Sequence, residues 1–177
     1  MNLPNKLTMF RIILVPVLVV VLLINIPYGD YFAAAIFILA ALTDSLDGYL
    51  ARRWKQVTRL GIFLDPLADK LLIMAALICL VQLGRIPGWI AIVIIAREFA
   101  VSGLRAIKAG DGIVIPASIW GKLKTLTQVI AVLLVILESV YRSITTLPIG
   151  LWAMYVAVVI TIISGVEYFY RFRKGAR

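Results

Sequence analysis

Histidine is absent from this chain of 177 residues, and cysteine occurs once, at Cys79. Those two shortages exclude an intrachain disulfide, a His- or Cys-based nucleophile system and a His/Cys zinc site. Catalysis, if there is any, is left to carboxylates, Lys and Arg, hydroxyls or a hard metal ion. Charge is scarce too: 15% of residues are charged, with nine acids against eighteen Lys and Arg. What fills the space is apolar, 63% of the chain with a mean hydropathy of +1.03. A soluble domain is typically about half apolar and about a quarter charged, so this composition requires lipid as the solvent for much of the surface.

A bilayer core takes about 20 apolar residues per helix. Six stretches come near that length: Leu7 to Ile26, Tyr31 to Leu50, Leu60 to Leu83, Pro87 to Ile107, Ile119 to Tyr141 and Leu147 to Phe169. Nothing in the first resembles a cleaved signal peptide. No repeat, low-complexity tract or soluble-sized segment interrupts the series. The expectation is therefore an all-α integral membrane protein, a single domain over residues 1–177 with six transmembrane helices. Charge orients it. Arg85 and Arg142 lie on one side, Lys70 and Arg97 lie inside spans, and the other fourteen bases share the side of the termini. By the positive-inside rule both termini are cytoplasmic, and the basic belt faces anionic headgroups. Trp54, Trp89, Trp120 and Trp152 fall near span ends, as interfacial aromatics do.

Ionisable residues within spans are costly and face an interior cavity. Asp44 and Asp47 share a face of the second span at i,i+3, and Asp65 and Asp69 a face of the third at i,i+4. The two spans are antiparallel neighbours, so both pairs lie at the cytoplasmic end. Four carboxylates would repel one another and take up protons unless cations held them. An all-oxygen set favours Mg²⁺ or Mn²⁺, and four acids suffice for a two-metal site that clamps a phosphoryl group. The alternative is a structural cluster of these acids with Arg52, Arg53, Arg59 and Lys70. Gly48, Ala51 and Gly61 remove bulk beside the acids, for a ligand or for helix packing.

The run Asp44-x2-Asp47-Gly48-x2-Ala51-Arg52-x8-Gly61-x3-Asp65-x3-Asp69 resembles the signature of the CDP-alcohol phosphotransferase family at every fixed position. The opening Asn2 to Arg11, the segment Arg97 to Arg105 and the tract Gly121 to Thr125 resemble the bacterial branch that makes phosphatidylglycerophosphate. The resemblance implies a six-helix membrane enzyme, generally a homodimer, in the bacterial cytoplasmic membrane, with a polar active-site cavity at the cytoplasmic side. It implies transfer of the phosphatidyl group from CDP-diacylglycerol to sn-glycerol 3-phosphate with release of CMP, for phosphatidylglycerol synthesis, and no nucleic-acid partner. By the same resemblance Asp44, Asp47, Asp65 and Asp69 hold two Mg²⁺ or Mn²⁺ ions, and Asp69 is also the general base. Gly48, Arg52, Thr58 and Gly61 contact the cytidine diphosphate, with Thr8 and Arg11 closing over it.

A phosphorylated acceptor needs a basic pocket. Arg97, Ser102 and Arg105 lie within about 80° of one another on a helix, and guanidinium groups suit phosphate. Lys122 and Lys124 converge from the start of the fifth span. Lys108, Arg171, Arg173, Lys174 and Arg177 read as headgroup anchors. This cluster favours a phosphorylated acceptor over serine but does not separate glycerol phosphate from inositol phosphate. A divalent-cation transporter would also explain acids in spans, though not the glycine, alanine and arginine spacing.

Overall fold

A computed structural model describes the backbone of residues 3–24, 26–54, 59–110, 118–142 and 145–174, and the side chains of 7–24, 26–43, 68, 70–110, 118–142 and 145–173. The described chain is helical throughout, without a strand. The helices are α1 (Leu3–Leu23), α2 (Gly29–Trp54), α3 (Arg59–Gln82), α4 (Gly88–Gly110), α5 (Ile119–Ile136), α6 (Glu138–Tyr141) and α7 (Ile149–Lys174). Two, over Ile119–Ile136 and Ile149–Arg173, are long and apolar enough to cross a bilayer.

The helix ends follow local chemistry. Ser118 caps α5 by accepting the Gly121 N–H at 3.0 Å. The turn after α3 closes on Gly84 at φ 68°, with Gly84 N–H bonded to the Val81 carbonyl and Arg85 N–H to that of Leu80. Only glycine adopts that backbone without strain, and the paired bonds satisfy carbonyls the helix leaves open. Each long helix covers one of the six apolar runs, but the fifth run is divided. Leu137, at φ −83° and ψ 6°, separates α5 from the single turn α6. Arg85 stabilises that break. Its Nη1 donates to the Ile136 carbonyl at 3.0 Å, and its Nη2 to Asp30 Oδ1 at 2.8 Å. Ser139 bonds the same carboxylate. Arg85, which the sequence places with Arg142 on the side opposite the termini, thus fastens α2, the α3–α4 turn and the α5–α6 junction together.

Packing is most extensive between α5 and α7, while α1 lies against α2 and α3, and α4 against α7. The α5–α7 approach is close because Gly150 has no side chain: a Cβ there would stand 2.9 Å from the Val135 backbone. The interior carries Leu18, Phe37, Leu77, Ile90, Val132 and Met154, all fully buried. The polarity is that of a protein solvated by lipid. Arg11 is 0% exposed whereas Ile92 is 69% and Val166 65% exposed. Trp89 and Trp152 flank Tyr155 at the start of α4 and α7, with ring centroids 6.0 and 5.9 Å away. Trp120 stands at the start of α5, at the opposite end. Helices α4 and α7 run in the same direction, and the polar cavity lies toward the end where both finish.

Candidate active site

The C-terminal half of α2 carries Asp44, Asp47, Gly48 and Arg52 on its backbone, and the N-terminal half of α3 carries Gly61, Asp65 and Asp69. Their side chains, and Thr58 altogether, lie outside the described residues. Among the described residues no group of three potential ligands could hold a metal. What the backbone gives is placement: the two acidic pairs sit on consecutive helices, near the ends joined by residues 55–58. Helix α3 continues through Pro66, so the proline that could have broken it leaves Asp65 and Asp69 on one helix. The donor chemistry, oxygen alone, fits a hard divalent cation.

Directly beside this region is a cavity of about 730 Å³. Leu42, two residues before Asp44, and Lys70, next to Asp69, both line it. Six bases reach its wall: Arg11 from α1, Lys70 from α3, Arg97 and Arg105 from α4, and Lys122 and Lys124 from α5. Glu98 is the one acid among the described lining residues. Apart from Ser102, Thr125 and Gly121, the remaining wall is apolar, from Ile38 and Leu42 of α2 to Leu126 and Val129 of α5. A cavity lined by both basic and apolar side chains suits an amphiphile whose charged part is anionic.

All five residues expected around the acceptor, Arg97, Ser102, Arg105, Lys122 and Lys124, line this cavity. The helical arithmetic for α4 explains the first three. Lys124 is buried and pairs with Glu98, whose Oε1 also accepts from Arg97 Nη1 at 3.4 Å. Arg97 Nη2 donates to Ser164 Oγ of α7 at 2.6 Å, and Gln128 Nε2 donates to Thr161 Oγ1 at 2.8 Å, a buried polar link between α5 and α7. Lys70 Nζ donates to Ser102 Oγ at 2.5 Å and ties the helix of Asp65 and Asp69 to the arginine-bearing α4. From sequence Lys70 reads only as a partner for the aspartates, although a base adjoining Asp69 within a span is itself a signal.

Thr8 and Arg11 are both fully buried on one face of α1, at i,i+3. Arg11 lines the same cavity as the acceptor residues, whereas Thr8 is not among its lining residues. Lys108 departs from expectation. It is 8% exposed, with its ammonium 5.0 Å from the Phe172 ring centroid. The aromatic face of α7 offsets part of the cost of burying it. Cys79 is buried among apolar side chains, as its isolation suggested.

The family model described as CDP-alcohol phosphatidyltransferase matches residues 1–163. The chain belongs to the CDP-alcohol phosphatidyltransferase family. Among relatives, a Bacillus subtilis protein named CDP-diacylglycerol–glycerol-3-phosphate 3-phosphatidyltransferase is 46% identical over 180 residues, covering 95% of this chain and 93% of its own. Proteins of the same name from Rickettsia bellii and Haemophilus influenzae are 39% and 40% identical, covering 98% and 94% of this chain and 96% and 91% of theirs. The signature residues of this CDP-alcohol phosphatidyltransferase fall within the matched region, as does every residue of the basic cavity. Membership accounts for the apolar helices as those of a membrane protein.

Proposed function

We propose that this protein transfers the phosphatidyl group of CDP-diacylglycerol to sn-glycerol 3-phosphate, giving phosphatidylglycerophosphate and CMP. The observation that carries the reading is the half-basic, half-apolar cavity against the signature helices, in a chain 46% identical to a relative with that name. The chain crosses the bacterial cytoplasmic membrane six times, with its termini and the cavity mouth on the cytoplasmic side, and works as a homodimer among membrane lipids.

In the reaction, the primary hydroxyl oxygen of glycerol 3-phosphate bonds to the lipid-bearing phosphorus. The phosphorus–oxygen bond to CMP breaks, and CMP leaves with that electron pair. Asp69 takes the hydroxyl proton. Asp44, Asp47, Asp65 and Asp69 would hold two Mg²⁺ or Mn²⁺ ions, which supply charge neutralisation at the pyrophosphate and at the leaving oxygen. Gly48 and Gly61 leave room for the cytidine diphosphate, which Arg52, Thr58, Thr8 and Arg11 bind. Arg97 and Arg105 bind the acceptor phosphate, with Lys122 and Lys124 facing them and Lys70 and Ser102 between. Alignment contributes much of the rate because a carboxylate is a weak base for an alcohol. The apolar wall takes the start of the acyl chains while the charged wall takes both anionic headgroups.

Offering labelled glycerol 3-phosphate, inositol 1-phosphate and serine in parallel to the purified protein, with CDP-diacylglycerol and Mg²⁺, tests the acceptor. Label is expected in lipid only from glycerol 3-phosphate. Label from inositol 1-phosphate or serine instead would overturn the assignment.

A further inference from the structure

Helix α7 gives no residue to the cavity wall among the described residues, yet it touches both arginines of the acceptor pocket. Arg97 meets it at two points. Its guanidinium donates to Ser164 Oγ at 2.6 Å, and its aliphatic stem lies against Gly165, where a Cβ would come within 3.3 Å of Arg97 Cγ. One turn further, the Arg105 guanidinium sits 5.6 Å from the centroid of the Tyr168 ring. Ser164 and Tyr168 are i,i+4 and lie on the same face of α7. Ser164 and Gly165 are buried, and Tyr168 is 6% exposed. The Tyr168 hydroxyl has no hydrogen-bond partner among the described residues, so the ring face is what the described structure uses.

From this contact set we infer that Ser164, Gly165 and Tyr168 are positioning residues for the acceptor phosphate, acting through Arg97 and Arg105. The inference rests on the proposed acceptor pocket. An arginine reaching a cavity from a helix has several rotamers, and fixing one of them before the ligand arrives removes an ordering cost from binding. Ser164 fixes the guanidinium of Arg97 by a hydrogen bond, Gly165 fixes its stem by close approach, and Tyr168 fixes Arg105 by cation–π contact. Glu98 restrains Arg97 from the other side. A Cβ at 165 would meet the Arg97 stem at 3.3 Å, so the stem would have to shift by a few tenths of an ångström.

The test is steady-state kinetics of the full chain in mixed micelles, with both substrates varied. Ser164→Ala and Tyr168→Leu are expected to raise the KM for glycerol 3-phosphate by about three- to thirtyfold, the scale of one charge-assisted hydrogen bond or cation–π contact, and Gly165→Ala to raise it less, since its Cβ only displaces the Arg97 stem. The KM for CDP-diacylglycerol stays within about twofold, and its constancy shows that the variants fold. Tyr168→Phe, which keeps the ring, is expected to restore most of what Tyr168→Leu loses. Equal changes in both KM values, or failure of the phenylalanine to restore binding, would overturn the positioning role. Arg97→Ala and Arg105→Ala separate this from the parent reading. If they raise the glycerol 3-phosphate KM and the α7 variants do not, the inference fails alone. If they leave it unchanged, the acceptor pocket itself is wrong.

Discussion

Replacing Glu98 with glutamine keeps the side-chain shape and removes one charge from the middle of the cavity wall. Glu98, Lys124 and Arg97 have side chains only 11%, 10% and 12% exposed, and the carboxylate is the ion-pair partner of both bases. Removing one partner of a buried pair strands the other charge, at a cost of about 3–5 kcal/mol. Taking about 3 kcal/mol because some exposure remains, and 2–4 °C for each kcal/mol in a chain of this length, the unfolding midpoint should fall by about 6–12 °C. The comparison is Glu167→Gln. That residue bonds Arg171 at 2.7 Å, one turn along α7, but the arginine side chain is 48% exposed, and such surface pairs contribute about 0.5 kcal/mol. Intrinsic fluorescence of the detergent-solubilised protein during heating reads both. A second change, Lys124→Met in the Glu98→Gln background, should recover part of the loss because it removes a buried base that has lost this carboxylate. A Glu98→Gln midpoint no lower than that of Glu167→Gln would refute the view that this carboxylate holds the two bases.

Other outcomes follow from the same geometry. Asp69→Asn should abolish turnover while CDP-diacylglycerol still binds, measured by equilibrium dialysis in micelles; unchanged turnover would remove Asp69 as the base. Gly150→Ala should lower the unfolding midpoint, since the added Cβ would meet the Val135 backbone at 2.9 Å, and overpacking of that kind costs about 1–3 kcal/mol. Arg85→Ala should destabilise the protein without changing either KM, because Asp30, Ser139 and the Ile136 carbonyl lose their common partner far from the cavity. Lys70→Met should raise the acceptor KM and leave the protein folded, because Lys70 lines the cavity and bonds Ser102.

The parts legible in the sequence were those set by spacing along one helix. Arg97, Ser102 and Arg105 meet in the cavity because steps of five and eight residues bring them to one side of α4, and that holds wherever α4 packs. The long helices likewise follow apolar run length. What sequence spacing could not supply was contact between helices. Nothing around Ser164 or Tyr168 marks them as partners of α4 arginines, since that depends on α4 and α7 running alongside one another. Arg85 could be read from sequence only as a base on the side opposite the termini, because its three partners lie on segments distant in sequence. Lys108 looked like a headgroup anchor until Phe172, 64 positions on, covered it. The division at Leu137 was hidden because an apolar run continues through it, and the capping group comes from the α3–α4 turn.

Phosphatidyl transfer from CDP-diacylglycerol to glycerol 3-phosphate is proposed to take place in the chamber lined by α1 to α5. Its most direct measurement follows CMP and labelled lipid together from reconstituted protein given CDP-diacylglycerol, labelled glycerol 3-phosphate and Mg²⁺, with chelator as the control. One CMP is expected for each phosphatidylglycerophosphate formed, and neither product once the metal is chelated. CMP released without labelled lipid, turnover that survives chelation, or Mg²⁺ crossing the membrane with no product at all would contradict it.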